Sequence, residues 1–282
     1  MMTRSFVFTN HKGGVGKSTS ATNVAYGICG ILDSARENGK THNARVLLID
    51  TDSQGHATLV TTGRNDYGEH DSLYSVIKTA DPIEASEVMA RCIVRSDWHP
   101  DLHVLPATPL LEGAEREMQS VPGAPYRIAK PLQRLAAHYA AIIIDTRPSF
   151  SLLTEMGLVA ATDAIIPIEP RYLETVGIMS VVQKIYQIRD GWNVPDLQIS
   201  GVLVTKMDKR IRGHRQLLDD LKAHPILGKL VCGVIPQNEA VSYAHHNHLN
   251  LYNYDPKAPA SKAYARLAGS LARQIVMEGA TS

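Results

Sequence analysis

The fold is decided by one stretch, SFVFTNHKGGVGKSTSATNVAYGICGIL, residues 5–32. Its first five residues, SFVFT, have the apolar and aromatic character of a buried strand, and the residues from Lys17 onward have helical character. Between them lies a loop rich in glycine. A strand, a glycine loop and a helix in this order form a phosphate cradle, because the glycines turn backbone N–H groups inward and the helix N-terminus adds its positive dipole end.

The loop ends as the nucleotide-binding pattern G-x-x-x-x-G-K-[ST] requires, with Gly16, Lys17 and Ser18. In this pattern the lysine neutralises the β and γ phosphates and the hydroxyl binds magnesium. The first glycine of the pattern falls on His11, and an additional lysine, Lys12, follows at once. The sequence therefore predicts a nucleotide site with an unusual second cation.

Composition sets limits on the class of protein. The chain has 282 residues, a net charge of +1, 44% hydrophobic and 20% charged residues, which is typical of a globular protein. We expect one domain over residues 1–282. With so little net charge, affinity for nucleic acid has to come from local clusters. The three cysteines are odd in number and widely spaced, which disfavours disulfides and zinc.

The start of the sequence and the length of its apolar stretches predict where the protein acts. No signal peptide fits before the glycine loop, and no apolar stretch approaches the ~18 residues of a membrane helix. We therefore expect a cytoplasmic protein without a membrane partner. Because the glycine loop begins so near the start, we also expect no helix-turn-helix extension at the N-terminus.

Further apolar runs predict a sheet. Helical stretches separate most of them, a pattern typical of parallel strands covered on both faces. We expect an α/β three-layer sandwich with a mostly parallel central sheet, of the P-loop NTPase type. The predicted strands cover residues 5–9, 45–50, 102–107, 141–146, 164–169, 199–205 and 230–236, and the polar stretches 33–43 and 63–72 are predicted to be surface loops.

Acidic residues follow two of these strands. AIIID ends at Asp145, which should lie at the carboxyl edge of the sheet beside the glycine loop and serve as the second magnesium ligand. VLLIDTD carries Asp50 and Asp52, either of which could orient the attacking water or a magnesium-bound water. The residues alone do not decide which of the two aspartates has this role.

With these motifs the chain resembles the deviant Walker A family of ATPases, and within it the ParA-type partition ATPases. The segments that carry the resemblance span nearly the whole chain: KGGVGKST (12–19), LLIDTDSQGHAT (47–58), IIIDTRPS (142–149), IPQNEAV (235–241) and LYNYDPKAPASKAYARLAGSLARQI (251–275).

The resemblance implies roles for particular residues. Lys12 would be the signature lysine that reaches the nucleotide of the other subunit, so that ATP joins a homodimer. Asp52, rather than Asp50, matches the hydrolysis position. The nucleotide would be ATP with Mg²⁺, although VTKMD at 204–208 is similar to the guanine box of many GTPases, which keeps GTP open. The implied nucleotide contacts are Gly13, Gly14, Val15, Gly16, Lys17, Ser18, Thr19, Thr205, Pro236 and Asn238.

The chain departs from the family pattern at several positions. Ser53 and Arg147 stand where proline is usual, and His56 where asparagine is usual. Arg147 could lie near the phosphates and alter hydrolysis, or pair with a surface carboxylate. We expect the surface pair, because arginine is normally exposed and paired. Gln237 and Ala240 stand where many relatives have arginines.

The resemblance also implies non-specific DNA binding by the ATP-bound dimer. Two basic clusters suit phosphate contacts: Lys206, Lys209, Arg210, Arg212 and Arg215 in one segment, and Lys262, Arg266 and Arg273 on one face of the last helix. The other face of that helix has Tyr264, Leu267, Leu271 and Ile275, which predicts docking on the core rather than a membrane tail.

The function implied is an ATPase with weak intrinsic activity, stimulated by DNA and by a ParB-like centromere-binding partner, that segregates a plasmid or chromosome and is associated with the nucleoid. Two alternatives stay open. The same switch could position a protein cargo on the nucleoid, or the protein could be a slow nucleotide-dependent scaffold. His245, His246 and His248 form the tightest histidine group, for which a solvated turn is the simpler interpretation than a metal site.

Overall fold

All seven predicted runs form strands of one sheet in the computed structural model, which describes residues 3–39, 41, 43–171 and 174–280. An eighth strand, at Val94–Arg95, was not predicted because it is only two residues long. In chain order the strands are β1 Arg4–Phe8, β2 Val46–Asp50, β3 Val94–Arg95, β4 Leu102–Leu105, β5 Ala141–Asp145, β6 Asp163–Ile168, β7 Gln198–Met207 and β8 Val231–Pro236.

The strand order across the sheet is β3-β4-β2-β5-β1-β6-β7-β8. Every neighbouring pair is parallel except β3 with β4, at one edge. The carboxyl ends of β1, β2 and β5 therefore meet at one edge of the sheet, and the register places Asp50 directly opposite Asp145. The mostly parallel α/β architecture predicted from the sequence is confirmed.

Helices cover both faces of this sheet. They are α1 Lys17–Glu37, α2 His56–Thr62, α3 Leu73–Lys78, α4 Pro82–Cys92, α5 Leu111–Met118, α6 Ala129–Leu135, α7 Leu152–Val159, α8 Glu174–Gly191, α9 Arg212–Ala223, α10 Leu227–Leu230, α11 Glu239–His246, α12 Leu251–Tyr254 and α13 Pro259–Ala280. Two 3₁₀ helices lie at Ala124–Arg127 and Ala136–His138. Within the described ranges, no helix combines the length and apolarity that a membrane crossing needs.

The core has two parts, one on each face of the sheet. Alternate strand residues point to opposite faces, so that Val7 packs into one part, while Phe6 and Phe8 pack into the other. The second part is closed by α1 and α13, and Tyr264, Leu267 and Leu271 of α13 belong to it. The last helix therefore docks on the core, as its pattern predicts.

One predicted loop is shorter than expected. Helix α1 continues to Glu37, five residues into the polar stretch 33–43, because Ala35, Arg36 and Glu37 are good helix formers. Lys40 and His42 of that stretch lie outside the described residues. The other predicted loop, 63–72, contains neither helix nor strand.

Candidate nucleotide site

The phosphate loop joins β1 to α1 and is shaped by two glycines in the left-handed region. Gly14 has φ 75° and Gly16 has φ 82°, a conformation that side chains disfavour. Gly16 is also the residue that caps α1, and no side chain bonds to the N-terminus of this helix. The first N–H groups of α1 are thus open to an anion.

Lys17 turns back over the loop. It is 6% exposed, and its Nζ donates a hydrogen bond to the carbonyl oxygen of Lys12, 2.9 Å away. Burial lowers the pKa of the Lys17 ammonium, while the nearby charges of Asp145 and Asp52 raise it. The loop therefore brings together the two lysines that the sequence singles out, with one ammonium at the centre of the loop.

Two residues near the end of β7 form hydrogen bonds to the backbone of the phosphate loop. The hydroxyl of Thr205 lies 2.9 Å from the carbonyl oxygen of Val15 and 3.0 Å from that of Ile168, to which it can donate. Lys206, which has φ 50°, places its ammonium 2.6 Å from the carbonyl oxygen of Gly14 and pairs with Glu169. Lys206 thus lies on the phosphate loop, although the sequence grouped it with the DNA contacts.

Three carboxylates meet beside this loop. Asp145 is completely buried, and neither of its oxygens has a hydrogen-bond partner among the described residues. Burial raises the pKa of Asp145 well above its usual range, and the charge of Asp50 adds to this effect. Ser18 lies close enough to lower that pKa in part but does not meet hydrogen-bond geometry.

Asp50 and Asp52 differ in what they bind. Asp50 is fully buried, and its carboxylate accepts hydrogen bonds from the backbone N–H and the hydroxyl of Thr58, both at 2.8 Å. Its pKa is raised to about 6, chiefly by burial. Asp50 therefore anchors the first turn of α2. In Asp52, Oδ1 accepts from the N–H of Gln54, while Oδ2 has no donor among the described residues and can meet a water.

These residues fit a magnesium ion. A buried carboxylate that lacks any hydrogen-bond partner is costly unless a cation or water compensates it. Asp145 is such a group, and the hydroxyl of Ser18 is the neighbouring oxygen. Carboxylate and hydroxyl oxygens, together with water, are the ligands that Mg²⁺ prefers. Asp145 and Ser18 could thus hold the metal between the loop and the sheet.

A cavity of about 320 Å³ opens next to the loop. It begins at Gly16 and Thr19 and is closed by the end of β8 and the start of α11, where Pro236 and Asn238 lie. The side-chain oxygen of Asn238 is buried there with no hydrogen-bond partner among the described residues. The amide of Asn238 offers both a donor and an acceptor, which suit the polar edge of a purine base.

Asp208, the acidic residue of the segment similar to a guanine box, is engaged elsewhere. Its carboxylate accepts four hydrogen bonds from Arg210, one from the backbone N–H and three from the side chain, and this pairing lowers the Asp208 pKa to about 2. Asp208 lines a groove outside the base cavity.

Arg147 forms the ion pair that was expected, but the carboxylate is not a surface one. Its Nη1 donates to Glu115 Oε2 at 2.9 Å, and Glu115 is only 8% exposed. The other oxygen of Glu115 accepts from the backbone N–H of Leu153, at the start of α7. The sequence could not identify Glu115, because it is one of several charged residues in an amphipathic helix.

The two basic clusters meet in one open groove of about 800 Å³. Its cations come from the segment after β7 and from α13, and two carboxylates, Asp208 and Glu239, lie among them. The groove shares Pro236 and Asn238 with the base cavity. The cations that line it are Lys209, Arg210, Lys262 and Arg266; Arg212, Arg215 and Arg273 are exposed without lining it.

The histidine group is less solvated than predicted. Nε2 of His245 is buried without a hydrogen-bond partner, and burial lowers the pKa of His245 to about 4, with His56 and His248 contributing. His246 and His248 are exposed. In the described part of the chain no group of histidine, cysteine and carboxylate residues has the arrangement of a metal site.

Comparison with known proteins gives a consistent result. A family model described as an AAA domain matches residues 3–199. The chromosome partitioning protein ParA of Caulobacter vibrioides is 32% identical over 270 residues, which cover 94% of this chain and 92% of that protein. The sporulation initiation inhibitor protein Soj of Bacillus subtilis is 31% identical, with 96% and 99% covered.

Among solved structures, that of a cobyrinic acid a,c-diamide synthase from Mycobacterium smegmatis with a bound ATP analogue and magnesium is similar, with a TM-score of 0.72 and 27% identity. The similarity covers 96% of this chain and 95% of that one.

Proposed function

Because the chain belongs to the ParA/MinD family of P-loop ATPases, we propose that it is a partition ATPase that dimerises on ATP, binds DNA without sequence preference and segregates a plasmid or chromosome. The observation that carries the ATPase site is the buried, unpartnered carboxylate of Asp145 beside Ser18 and Lys17. This arrangement suits Mg²⁺ and the terminal phosphates of ATP.

Each residue of the site would have a defined task. The N–H groups of residues 13–19 surround the phosphates, and Lys17 exchanges its bond to the Lys12 carbonyl for phosphate oxygens. Ser18 and Asp145 hold Mg²⁺, which neutralises charge on the phosphates when bound. Asp52 orients the attacking water through its free oxygen, because Asp50 is committed to Thr58.

Lys12 would complete the site of a second copy of the chain. A second cation at the phosphates is available only when two subunits face each other, so that the nucleotide state sets the oligomeric state. The role of Lys12 is carried over from the family. The location of its backbone at the mouth of the loop, bonded through its N–H to Asn10, is compatible with that role.

The position of Asp208 and the family of the chain support adenine as the base. Asp208, which would have to bind guanine, is held by Arg210 and lies outside the base cavity. The proposed nucleotide is therefore ATP, with Thr19, Pro236 and Asn238 among the residues that line the cavity.

The groove supplies the proposed DNA surface. Lys209, Arg210, Lys262 and Arg266 outnumber the two carboxylates of the groove, and exposed basic side chains in such a groove attract a phosphate backbone. The wall shared with the base cavity gives a physical route by which the nucleotide could influence the groove. A DNA-bound dimer of this kind would be cytoplasmic and associated with the nucleoid, with a ParB-like protein as its stimulating partner.

Two assays test this function. Purified protein is sedimented with random-sequence DNA without nucleotide and with ADP, ATP or GTP, and ATP turnover is compared between the native protein and Asp52→Ala. We expect retention on DNA with ATP only, and slow turnover that Asp52→Ala abolishes. Equal DNA retention in every nucleotide state, or equal turnover of the two proteins, would refute the partition motor.

A further inference from the structure

Two loops flank the proposed site of hydrolysis, and both bind the same helix. The Asp52 loop, residues 51–55, follows β2, and the Arg147 loop, residues 146–151, follows β5. The start of the Asp52 loop is bonded to the end of β5, because the N–H and the hydroxyl of Thr51 donate to the carbonyl oxygen of Asp145 at 3.0 and 2.8 Å. Further along, each loop reaches helix α5 through one side chain.

The contacts to α5 come from two glutamates three residues apart. Ser53 donates its hydroxyl hydrogen to Glu112 Oε1 at 3.0 Å, and Arg147 donates to Glu115 Oε2 at 2.9 Å. Residues at positions i and i+3 lie on the same face of a helix. One face of α5 thus connects the loop that carries Asp52 to the loop that follows Asp145.

Helix α5 is itself fixed in place. Leu111, Ala114 and Met118 are buried in the core on this side of the sheet. Glu115 also accepts the N–H of Leu153, so that its carboxylate stabilises the start of α7 as well as the Arg147 loop. Burial of the Glu115 carboxylate costs desolvation free energy. Both of its oxygens accept hydrogen bonds, one from Arg147 and the other from Leu153.

We propose that Glu112 and Glu115 are positioning residues for ATP hydrolysis, which hold the Asp52 loop and the Arg147 loop at a fixed separation through Ser53 and Arg147. This inference rests on the proposed ATPase function and deepens it. Asp52 and Asp145 reach productive geometry only if both loops stay in place, and small displacements of such groups reduce turnover strongly. The glutamates would act through Ser53 and Arg147 rather than as members of the nucleotide or metal site.

The test measures kcat and KM for ATP in four full-length variants, together with affinity for a fluorescent ATP analogue. Glu115→Gln keeps the size of the side chain and its bond to Leu153 but weakens the pair with Arg147. Arg147→Ala removes the pair, whereas Arg147→Lys keeps a cation within reach. The matched control is Glu117→Gln, which removes a carboxylate of the same helix that pairs at the surface with Lys78.

We expect Glu115→Gln and Arg147→Ala to lower kcat about tenfold, within the range seen when the supporting partner of a site group is lost. KM and affinity should change less than about twofold, because the phosphate loop is untouched. Arg147→Lys should recover part of kcat, and Glu117→Gln should match the native protein. Ser53→Ala, which deletes a single hydroxyl, gives a second test if Glu115→Gln does not fold.

The outcomes separate the two proposals. One outcome is that the native protein hydrolyses ATP while Glu115→Gln and Ser53→Ala hydrolyse it as fast as the control Glu117→Gln. In that case the positioning role of α5 is refuted and the proposed ATPase function is retained. A loss of affinity equal to the loss of kcat would also refute it, since that indicates general disruption. If the native protein itself does not hydrolyse ATP above the level of Asp52→Ala, the proposed function fails first.

Discussion

The ammonium of Lys17 lies 2.9 Å from the carbonyl oxygen of Lys12 and donates a hydrogen bond to it. The side chain of one lysine is thus bound to the backbone of the other across the phosphate loop. This relationship separates the tasks of the two residues, because the Lys17 side chain is directed into its own loop, whereas the proposed contact of Lys12 with a second copy of the chain is carried over from the family.

Substitution of the two lysines should impair different properties, ATP binding for Lys17 and dimerisation for Lys12. We expect Lys17→Ala to weaken ATP binding roughly ten- to a hundredfold, the size of a lost charge-assisted contact. Lys12→Ala should bind ATP nearly as tightly as the native protein but should not dimerise with it. Fluorescent nucleotide titration measures the first property and sedimentation velocity with ATP the second. An ATP-dependent dimer of Lys12→Ala would contradict the assigned role.

Asp145 and Asp163 provide a second contrast. Both are completely buried, but Asp163 is bound by Arg4 and Ser200, whereas the carboxylate of Asp145 has no hydrogen-bond partner in the part of the chain that the structure describes. Without nucleotide, Asp145→Asn should raise Tm, because it removes a buried charge that the ammonium of Lys17 offsets only in part. Asp163→Asn should lower stability by about 3 kcal/mol, since it takes the carboxylate from Arg4.

The same two variants test the metal site. Asp145→Asn should weaken Mg²⁺-dependent ATP binding, and Asp163→Asn should leave it unchanged in the protein that remains folded, since Asp163 lies at the opposite end of the sheet. Thermal denaturation with and without Mg²⁺ and ATP measures both effects. A fall in Tm for Asp145→Asn without ligand would show that Asp145 has a structural partner.

The basic groove predicts a change in salt dependence. Lys262→Gln and Arg266→Gln each remove one cation, and each should reduce the slope of log K for DNA against log salt concentration by about 1 if the cation contacts a phosphate. Lys130→Gln is the matched control, because this exposed lysine lies over the ring of Tyr126, away from the groove. Equal slopes for all three variants would exclude the groove as the DNA surface.

Sequence patterns predicted the sheet because buried parallel strands are continuous apolar runs, and seven of the eight strands follow that rule. They also identified Asp145, since a carboxylate after such a run must lie at the carboxyl edge. They could not identify Glu115, whose role depends on where α5 packs. Glu169 could have been found, because it ends the predicted strand 164–169 at the edge where the site lies.

Lys206 shows a different limit of sequence reasoning. Its charge and its neighbours placed it in a basic cluster, but the backbone of β7 is irregular between Val204 and Met207, where the register with β8 shifts. Lys206 adopts a left-handed conformation there and turns toward Gly14. Such an irregularity, which redirects one side chain, has no signal in residue type or spacing.

His245 leads to the last prediction, which concerns stability against pH. Burial lowers the pKa of His245 from an ordinary 6.5 to about 4, so the unfolded chain binds a proton in this interval that the folded protein excludes. The contribution of His245 is therefore fully present above pH 6.5 and is lost as the pH falls toward 4. Between pH 7 and pH 5 this loss amounts to roughly 2 kcal/mol.

Urea denaturation at pH 7 and pH 5 measures this loss. His245→Leu should lose roughly 2 kcal/mol less stability than the native protein over that interval, because leucine cannot take up the proton. His246→Gln is the control, since His246 lies on the exposed side of the same helical turn and should leave the native pH dependence unchanged. His56 and His248 face His245, and their charges are part of the reason that its pKa is lowered. If His245→Leu and the native protein lose stability in parallel, His245 is solvated in solution and the buried position is wrong.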